Sequence, residues 1–232
     1  VVVTNAAGCQ GAGTFNVIEG GTGLASNPVN VVACQGDNVI LDAGNNGASY
    51  LWSNGAATQT ISVNTPGTYQ VTITDAGGCT ATFANNVNLQ PLPVVNFTAN
   101  SACIGSTTNF NNFTTIGSGN IVNWQWNFGD GQFSTGQQPS INYLLPGTYP
   151  VTLVATSGFG CVDSSTASVQ ITPVPSAAFT AADVCLGSPS AFVDGSVVSS
   201  GNITNWSWNF GDGNASQQQN PQHLFSAEGV YN

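Results

Sequence analysis

The stretch "NWQWNFGDG" at residues 123–131 returns, with one substitution, as "NWSWNFGDG" at 205–213. In an extended chain successive side chains point to opposite faces. Val122, Trp124, Trp126 and Phe128 therefore share one face, and Asn123, Gln125 and Asn127 share the other. Trp206, Trp208 and Phe210 repeat the pattern. Asp130-Gly131 and Asp212-Gly213 are hairpin-turn dipeptides, because Gly tolerates positive φ. The reading is a central strand that buries its aromatic face and ends in a tight turn. The alternative turns Trp124 and Trp206 outward, where they would stack on sugars.

Working outward, the copies match at a constant offset of 82, without a gap. Pro93 maps to Pro175, Phe97 to Phe179, Cys103 to Cys185, Asp130 to Asp212 and Tyr149 to Tyr231. A shorter module precedes them, and "VTITDAGGC" (71–79) matches "VVVTNAAGC" (1–9) at an offset of 70. The linkers "PLP" (91–93) and "PVP" (173–175) are short and stiff, which favours a rod. Short alternating segments rich in Val, Ile, Thr, Phe and Tyr lie between Gly, Pro and Asn clusters. "TYQVTITD" (68–75) and "TYPVTLVAT" (148–156) are the clearest strands. No helical periodicity is sustained, so the fold class is all-β, with tandem sandwich modules. The domains read as 30–92, 93–174 and an N-terminal part of a third at 175–232. Residues 1–29 read as the C-terminal part of such a third module.

Composition narrows the function. The 232 residues carry no Lys, no Arg and ten acidic side chains, eight Asp and two Glu. An ordinary chain of this length holds roughly 29 basic residues. Without cations the chain cannot neutralise phosphates or adhere to anionic membranes. Neither nucleic-acid binding nor direct membrane insertion is expected. Chemistry that needs a Lys Schiff base or an Arg finger is excluded. Hydrophobic residues at 41% still allow real cores.

The six cysteines follow a grammar. Cys34, Cys103 and Cys185 each open a Cys-x-Gly near a module's start, and Cys9, Cys79 and Cys161 each follow Gly near a module's end. Pairing start with end gives Cys34–Cys79 and Cys103–Cys161, each worth roughly 4 kcal/mol in the chain-entropy model. Six buried thiols are the alternative. Disulfides imply an oxidising compartment and secretion. Cys9 and Cys185 are left over. Joining "EGVYN" (228–232) to "VVVTNAAGC" (1–9) restores a complete module tail. Counted across that join, Cys185 and Cys9 are separated almost as widely as Cys103 and Cys161 are within the chain. The expectation is one period of a longer array, with neighbouring identical units head to tail and Cys9 paired with Cys185 across the boundary.

"WNFGDG", then "PSINY" or "PQHLF", then "GTYPVTL" resembles the PKD (polycystic kidney disease) domain family. The resemblance implies a seven-stranded immunoglobulin-like sandwich. Asn127 and Asn209 stand where that family often has Asp, and Ile141 where it often has His. The 30–92 module is similar to the short immunoglobulin-like repeats beside PKD domains in very large surface proteins of gliding bacteria. That resemblance implies an adhesin of gliding motility, exported by type IX secretion, although no C-terminal sorting domain is visible.

No catalytic constellation is expected. The single His223 has Ile141 as its counterpart, so a Ser/His/Asp arrangement cannot be built twice. The carboxylates stand singly, whereas Ca²⁺ needs six to eight oxygens. No cofactor or metal site is expected, apart from weakly bound Ca²⁺ at the linkers. The function expected is a structural and adhesive repeat of a secreted bacterial cell-surface filament or stalk, with surface glycans as candidate ligands. The alternative is a carbohydrate-binding accessory module of a secreted polysaccharide-degrading enzyme.

Overall fold

The computed structural model describes residues 2–4, 10–12, 24–26, 28–46 and 48–231. Among them every regular element is a β-strand, as the alternating patterns require. No helix among the described residues is long and apolar enough to cross a membrane. The chain forms two compact units. The first comprises Val1–Pro93 with Ile116–Asn120 and Ser157–Cys161, and the second comprises Val94–Thr115, Ile121–Thr156 and Val162–Asn232.

In the first unit a four-stranded sheet runs in the order Asn30–Cys34, Thr80–Gln90, Gly67–Thr74, Ser49–Trp52. The pair Val39–Asp42 and Thr60–Val63 forms its second layer. Alternation decides which side chains meet. Val39 and Leu41 are buried while Ile40 between them is 71% exposed, the period-two signature of a sheet with one wet face. Trp52, Val71, Ile73, Phe83 and Val87 complete the core from the larger sheet.

The second unit holds a three-stranded sheet, Phe97–Ala99, Thr107–Asn112 and Ser140–Asn142. Its five-stranded partner runs Ala102–Cys103, Val162–Thr172, Gly147–Ser157, Ile121–Asn127, Phe133–Ser134. Phe97, Phe110, Trp126, Phe128, Tyr143, Val151, Leu153, Val169 and Ile171 form one core cluster. The second copy carries Phe179–Ala181, Ser190–Asp194 and Gln222–His223 in one sheet, and Trp208–Asn209 with Ala215–Ser216 in another. Each module also bears a tyrosine corner, a mark of immunoglobulin-like sandwiches. The hydroxyls of Tyr69, Tyr149 and Tyr231 donate to the carbonyls of Thr65, Leu145 and Ala227, each four residues upstream.

The expected disulfides are corrected. Cys34 is bonded to Cys161, with Cα atoms 5.6 Å apart and a sequence separation of 127. Neither Cys34–Cys79 nor Cys103–Cys161 forms. The reason is the direction of the first strand. Asn30–Cys34 pairs parallel with Thr80–Gln90 and places Cys34 opposite Gln90. Ala102–Cys103 pairs parallel with Val162–Thr172 and places Cys103 opposite Thr172. Each start cysteine thus lies at the downstream end of its module's last strand, beside the Pro linker. Cys79 and Cys161 lie at the upstream end of those same strands. Eleven residues of strand separate the two positions by roughly 36 Å, and a disulfide bridges only about 4.4–6.8 Å between Cα atoms. Cys9, and with it the expected Cys9–Cys185 pair, lies outside the described residues.

Candidate functional site: the aromatic strand and the module ends

The strand Ile121–Asn127 carries the repeated motif. Trp126 is 1% exposed and Phe128 is fully buried, as their parity requires. Trp124 is half-buried, and Val122, nearer the strand's start, is exposed. The common face therefore reaches the core only from Trp124 onward. The Trp126 indole N–H donates to the Gly136 carbonyl at 2.9 Å. Phe97 meets Trp126 edge-on at 5.1 Å, and Phe110 lies 5.4 Å from Trp126 and 5.0 Å from Phe128. Tilted and edge-on rings match the aromatic quadrupoles.

The Asp-Gly turn is wider than a two-residue hairpin. Phe128 N–H donates to the Gln132 carbonyl, and Gly129 and Gly131 both take positive φ, +78° and +92°. Asn127 Oδ1 accepts from Gly129 N–H, and Asp130 Oδ1 accepts from Gln132 N–H. Asn127, where the resembling family often has Asp, thus still closes an Asx turn. A side chain at Gly129 would put Cβ 2.8 Å from the Pro150 carbonyl oxygen. Beneath the turn the buried Tyr143 hydroxyl donates to the Phe128 carbonyl. Burial, with the charge of Asp130 and Tyr149 adding, pushes that phenol up to about 12.

The second copy keeps this geometry with a different surface. Phe179 meets Trp208 edge-on at 5.3 Å, and Phe192 lies 5.2 Å from Phe210. The Trp208 indole donates to the Gln218 carbonyl, and Asp212 and Gly213 form the same turn, with Asp212 Oδ1 accepting from Asn214 N–H. Phe210 is buried, but Trp206 and Trp208 are half-buried and Phe179 is 59% exposed, against 6% for Phe97. No strand among the described residues follows Gln222–His223. The face that Gly147–Ser157 and Val162–Thr172 cover in the first copy is here a groove of about 560 Å³, lined by Phe179, Cys185, Phe192, Phe210, Phe225 and Tyr231.

His223 takes the place of Ile141 and stacks on Phe210 at 4.2 Å. Its Nε2 lies 2.7 Å from Asp212 Oδ2. The hydrogen bond from His223, then those from Asn214, hold Asp212 down at about 2. Asp194 is held down to about 2 by Ser196 first, with Gln219 and the Trp206 indole assisting. These contacts order turns. No group of three metal-ligating side chains occurs among the described residues.

The module ends are the most regular feature. Val2–Thr4 and Gln10–Ala12 pair antiparallel as Val2↔Ala12, Val3↔Gly11 and Thr4↔Gln10. In the first unit Thr72↔Thr82, Ile73↔Ala81 and Thr74↔Thr80 pair in the same way. Val154↔Ser164, Ala155↔Asp163 and Thr156↔Val162 repeat it. All three hairpins thus enclose five residues that end in Gly-Cys. At 75–79 and 157–161 the turns are alike. Asp75 and Ser157 N–H groups donate to the Cys79 and Cys161 carbonyls, and Gly78 and Gly160 take φ near +83°. Sequence reasoning found the Gly-Cys repeat but not its register. It also missed Phe110, Tyr143 and the tyrosine corners, although Phe110 and Phe192 are related by the same offset as the motif itself.

Known proteins resemble parts of this chain. The metalloprotease PrtV precursor of Vibrio cholerae serotype O1 is 40% identical over 53 residues, which are 23% of this chain and 6% of that protein. The PKD1 domain of the Vibrio cholerae PrtV metalloprotease is 31% identical over 34% of this chain and 96% of that domain, with a TM-score of 0.33. The eight N-terminal Ig domains of the Down Syndrome Cell Adhesion Molecule match 85% of this chain and 30% of that one at 14% identity, with a TM-score of 0.56, a likeness of fold alone. The PKD domain family matches residues 88–173 and 171–232, more than half of the sequence. With a tyrosine corner in each module and two matching aromatic clusters, the chain belongs to the PKD domain family.

Proposed function

We propose that the chain is a structural and adhesive repeat of a secreted bacterial cell-surface filament or stalk, in which this unit follows itself head to tail. The shared register of hairpins 2–12, 72–82 and 154–164 carries the reading. On this reading the hairpin of Val2–Thr4 and Gln10–Ala12 closes a module whose opening strands are of the 175–231 type. The groove on that module exposes the aromatic faces such a hairpin covers at 147–172. A disulfide suits an oxidising, extracellular setting. Export by type IX secretion and a part in gliding motility belong to this proposal, through the resemblance of the 30–92 module. Each unit would add modules that hold an adhesive surface away from the cell.

A sugar-binding accessory role needs exposed aromatic platforms. The repeated tryptophans are buried or half-buried, and the indoles of Trp126, Trp208 and Trp206 are engaged by Gly136, Gln218 and Asp194. Electron microscopy of cells whose gene has gained or lost whole copies of this unit tests the proposal. Surface fibres should lengthen or shorten by a constant step per unit, with adhesion changing alongside. Unchanged fibres, with polysaccharide binding by the isolated chain, would overturn it.

A further inference from the structure

The three Cys-x-Gly segments are one structural part used three times. Cys34, Cys103 and Cys185 accept, through their carbonyls, the N–H groups of Asp37, Ser106 and Ser188. Gly36, Gly105 and Gly187 lie between them at φ +93°, +79° and +88°, as the third position of such a turn requires. Gln35 N–H donates to the Gln90 carbonyl, and Ile104 N–H donates to the Thr172 carbonyl. In both cases the residue after the acceptor is the first Pro of a short linker. Cys103 therefore stands to the linker 173–175 as Cys34 stands to the linker 91–93.

The module beyond each linker opens alike. Pro93–Val94 pairs with Thr115–Ile116, and at nearly the same place in the second copy Ser176 bridges Val197. In the first unit the hairpin tip 157–161 is held there. Gly158 N–H donates to the Asn120 carbonyl, a Cβ at Gly117 would touch Pro91, and Cys161 is 1% exposed in its bond to Cys34. Cys79, on the same hairpin turn, is exposed and unpaired, as are Cys103 and Cys185. The difference between Cys161 and Cys79 is the presence of a Cys-x-Gly turn beside the tip.

We propose that each module's Cys-x-Gly cysteine is bonded to the hairpin-tip cysteine of the module that follows, so that every junction carries its own clip. Cys34–Cys161 is the one instance contained within this chain. Cys103 is then bonded to the tip of the module that begins at Pro175, and Cys79 to the Cys-x-Gly cysteine of the module before 30–92. With the repeating unit proposed above, on which this identification rests, those partners are Cys9 of the following unit and Cys185 of the preceding one. Counted through the join between units, both separations are close to the 127 of the observed pair. This replaces the same-module pairing of Cys9 with Cys185. Each bond forms by exchange with a disulfide oxidant in the export compartment. One thiolate attacks the oxidant and releases one thiol. The second thiolate then attacks the mixed disulfide and releases the other, so two thiols and one disulfide become one disulfide and two thiols.

The test is disulfide mapping of the full-length protein from the cell surface. Unreduced protein is capped with N-ethylmaleimide and digested with pepsin, since the chain has no Lys or Arg for trypsin. The acid of that digestion also suppresses thiolate exchange. Mass spectrometry should find Cys103 linked to a peptide containing "NAAGC", and Cys79 linked to one containing "VCLGS". A Cys103→Ser variant should leave one newly capped thiol, at that hairpin tip. Capped Cys103 and Cys79 in the unaltered protein, or Cys103 linked to Cys161, would overturn the rule. Cys103 linked to a hairpin tip of another sequence would uphold the rule and overturn the repeating unit.

Discussion

Alanine at Gly129 separates two costs that the aromatic turn combines. Gly129 and Gly131 have φ of +78° and +92°. An L-residue held there loses about 1–2 kcal/mol relative to Gly, offset by about 0.4–1 kcal/mol from the stiffer unfolded chain. At Gly131 nothing lies within 4 Å of the new Cβ, so Gly131→Ala carries the backbone cost alone. At Gly129 the Cβ would lie 2.8 Å from the Pro150 carbonyl oxygen, 3.0 Å from Pro150 Cδ and 3.2 Å from its nitrogen. Those atoms belong to the strand that bears the buried Val151 and Leu153, so they can yield only by shifting core backbone, at about 1–3 kcal/mol. Gly129→Ala should therefore destabilise the 93–174 module by about 2–4 kcal/mol, and Gly131→Ala by about 1 kcal/mol. At roughly 4–8 °C per kcal/mol for a domain of this size, the two melting temperatures should differ by at least about 4 °C. Calorimetry gives those temperatures, and hydrogen exchange of the 121–136 amides assigns the loss to this module. Equal losses for the two variants would refute the close-approach argument.

Trp126→Ala should cost about 3–5 kcal/mol, as for other large core aromatics, while Trp208→Ala in the single chain should cost clearly less, because Trp208 is only half-buried; chemical denaturation measures both. Asp194 and Asp212 have folded pKa values of about 2, below their ordinary 3.8, so their stabilisation is complete above about pH 4 and is lost as pH falls toward 2. Asp212→Asn should flatten the acid side of a melting-temperature profile over that window, and an unchanged slope would remove the His223–Asp212 bond from the account. The chain has no Lys or Arg, and His223–Asp212 is the one His–carboxylate contact among the described residues, so stability near neutral pH should vary little with added salt, and a strong salt dependence would contradict folding by apolar burial and sheet hydrogen bonds. Reduction of Cys34–Cys161, with its sequence separation of 127, should lower stability by up to about 5 kcal/mol in the chain-entropy model, and an unchanged melting temperature would show that the bond does not constrain unfolding.

The architecture was legible because two periodicities are written into the chain. Alternation of the Val39-Ile40-Leu41 kind records one wet and one dry face, and the offset of 82 brings two aromatic clusters into register residue by residue. The disulfides were not legible. Cys-x-Gly near a module's start says nothing of which way the strand runs, and the parallel pairing of Cys34 with Gln90 moves that cysteine to the far end of its module. A long-range β pairing decides the matter, and no local pattern encodes it. Burial of Trp124 was read from parity, but parity does not say how far along the strand the opposing layer extends, and Val122 already lies beyond it. Asp130-Gly131 was read as the whole turn because the second left-handed residue, Gly129, looks like an ordinary small residue until Pro150 is seen against it.

The central claim is that a hairpin of the 2–12 type completes a module of the 175–231 type. Hydrogen exchange on two copies of the chain, joined from Asn232 to Val1, tests it most directly against the single chain. In the single chain the amides of Phe179–Ala181 and Trp208–Asn209 should exchange much faster than those of Phe97–Ala99 and Trp126–Asn127. In the joined chain the 175–231 module of the first copy should slow to match the 93–174 module, and that of the second copy should not. Exchange unchanged in both copies would contradict the claim.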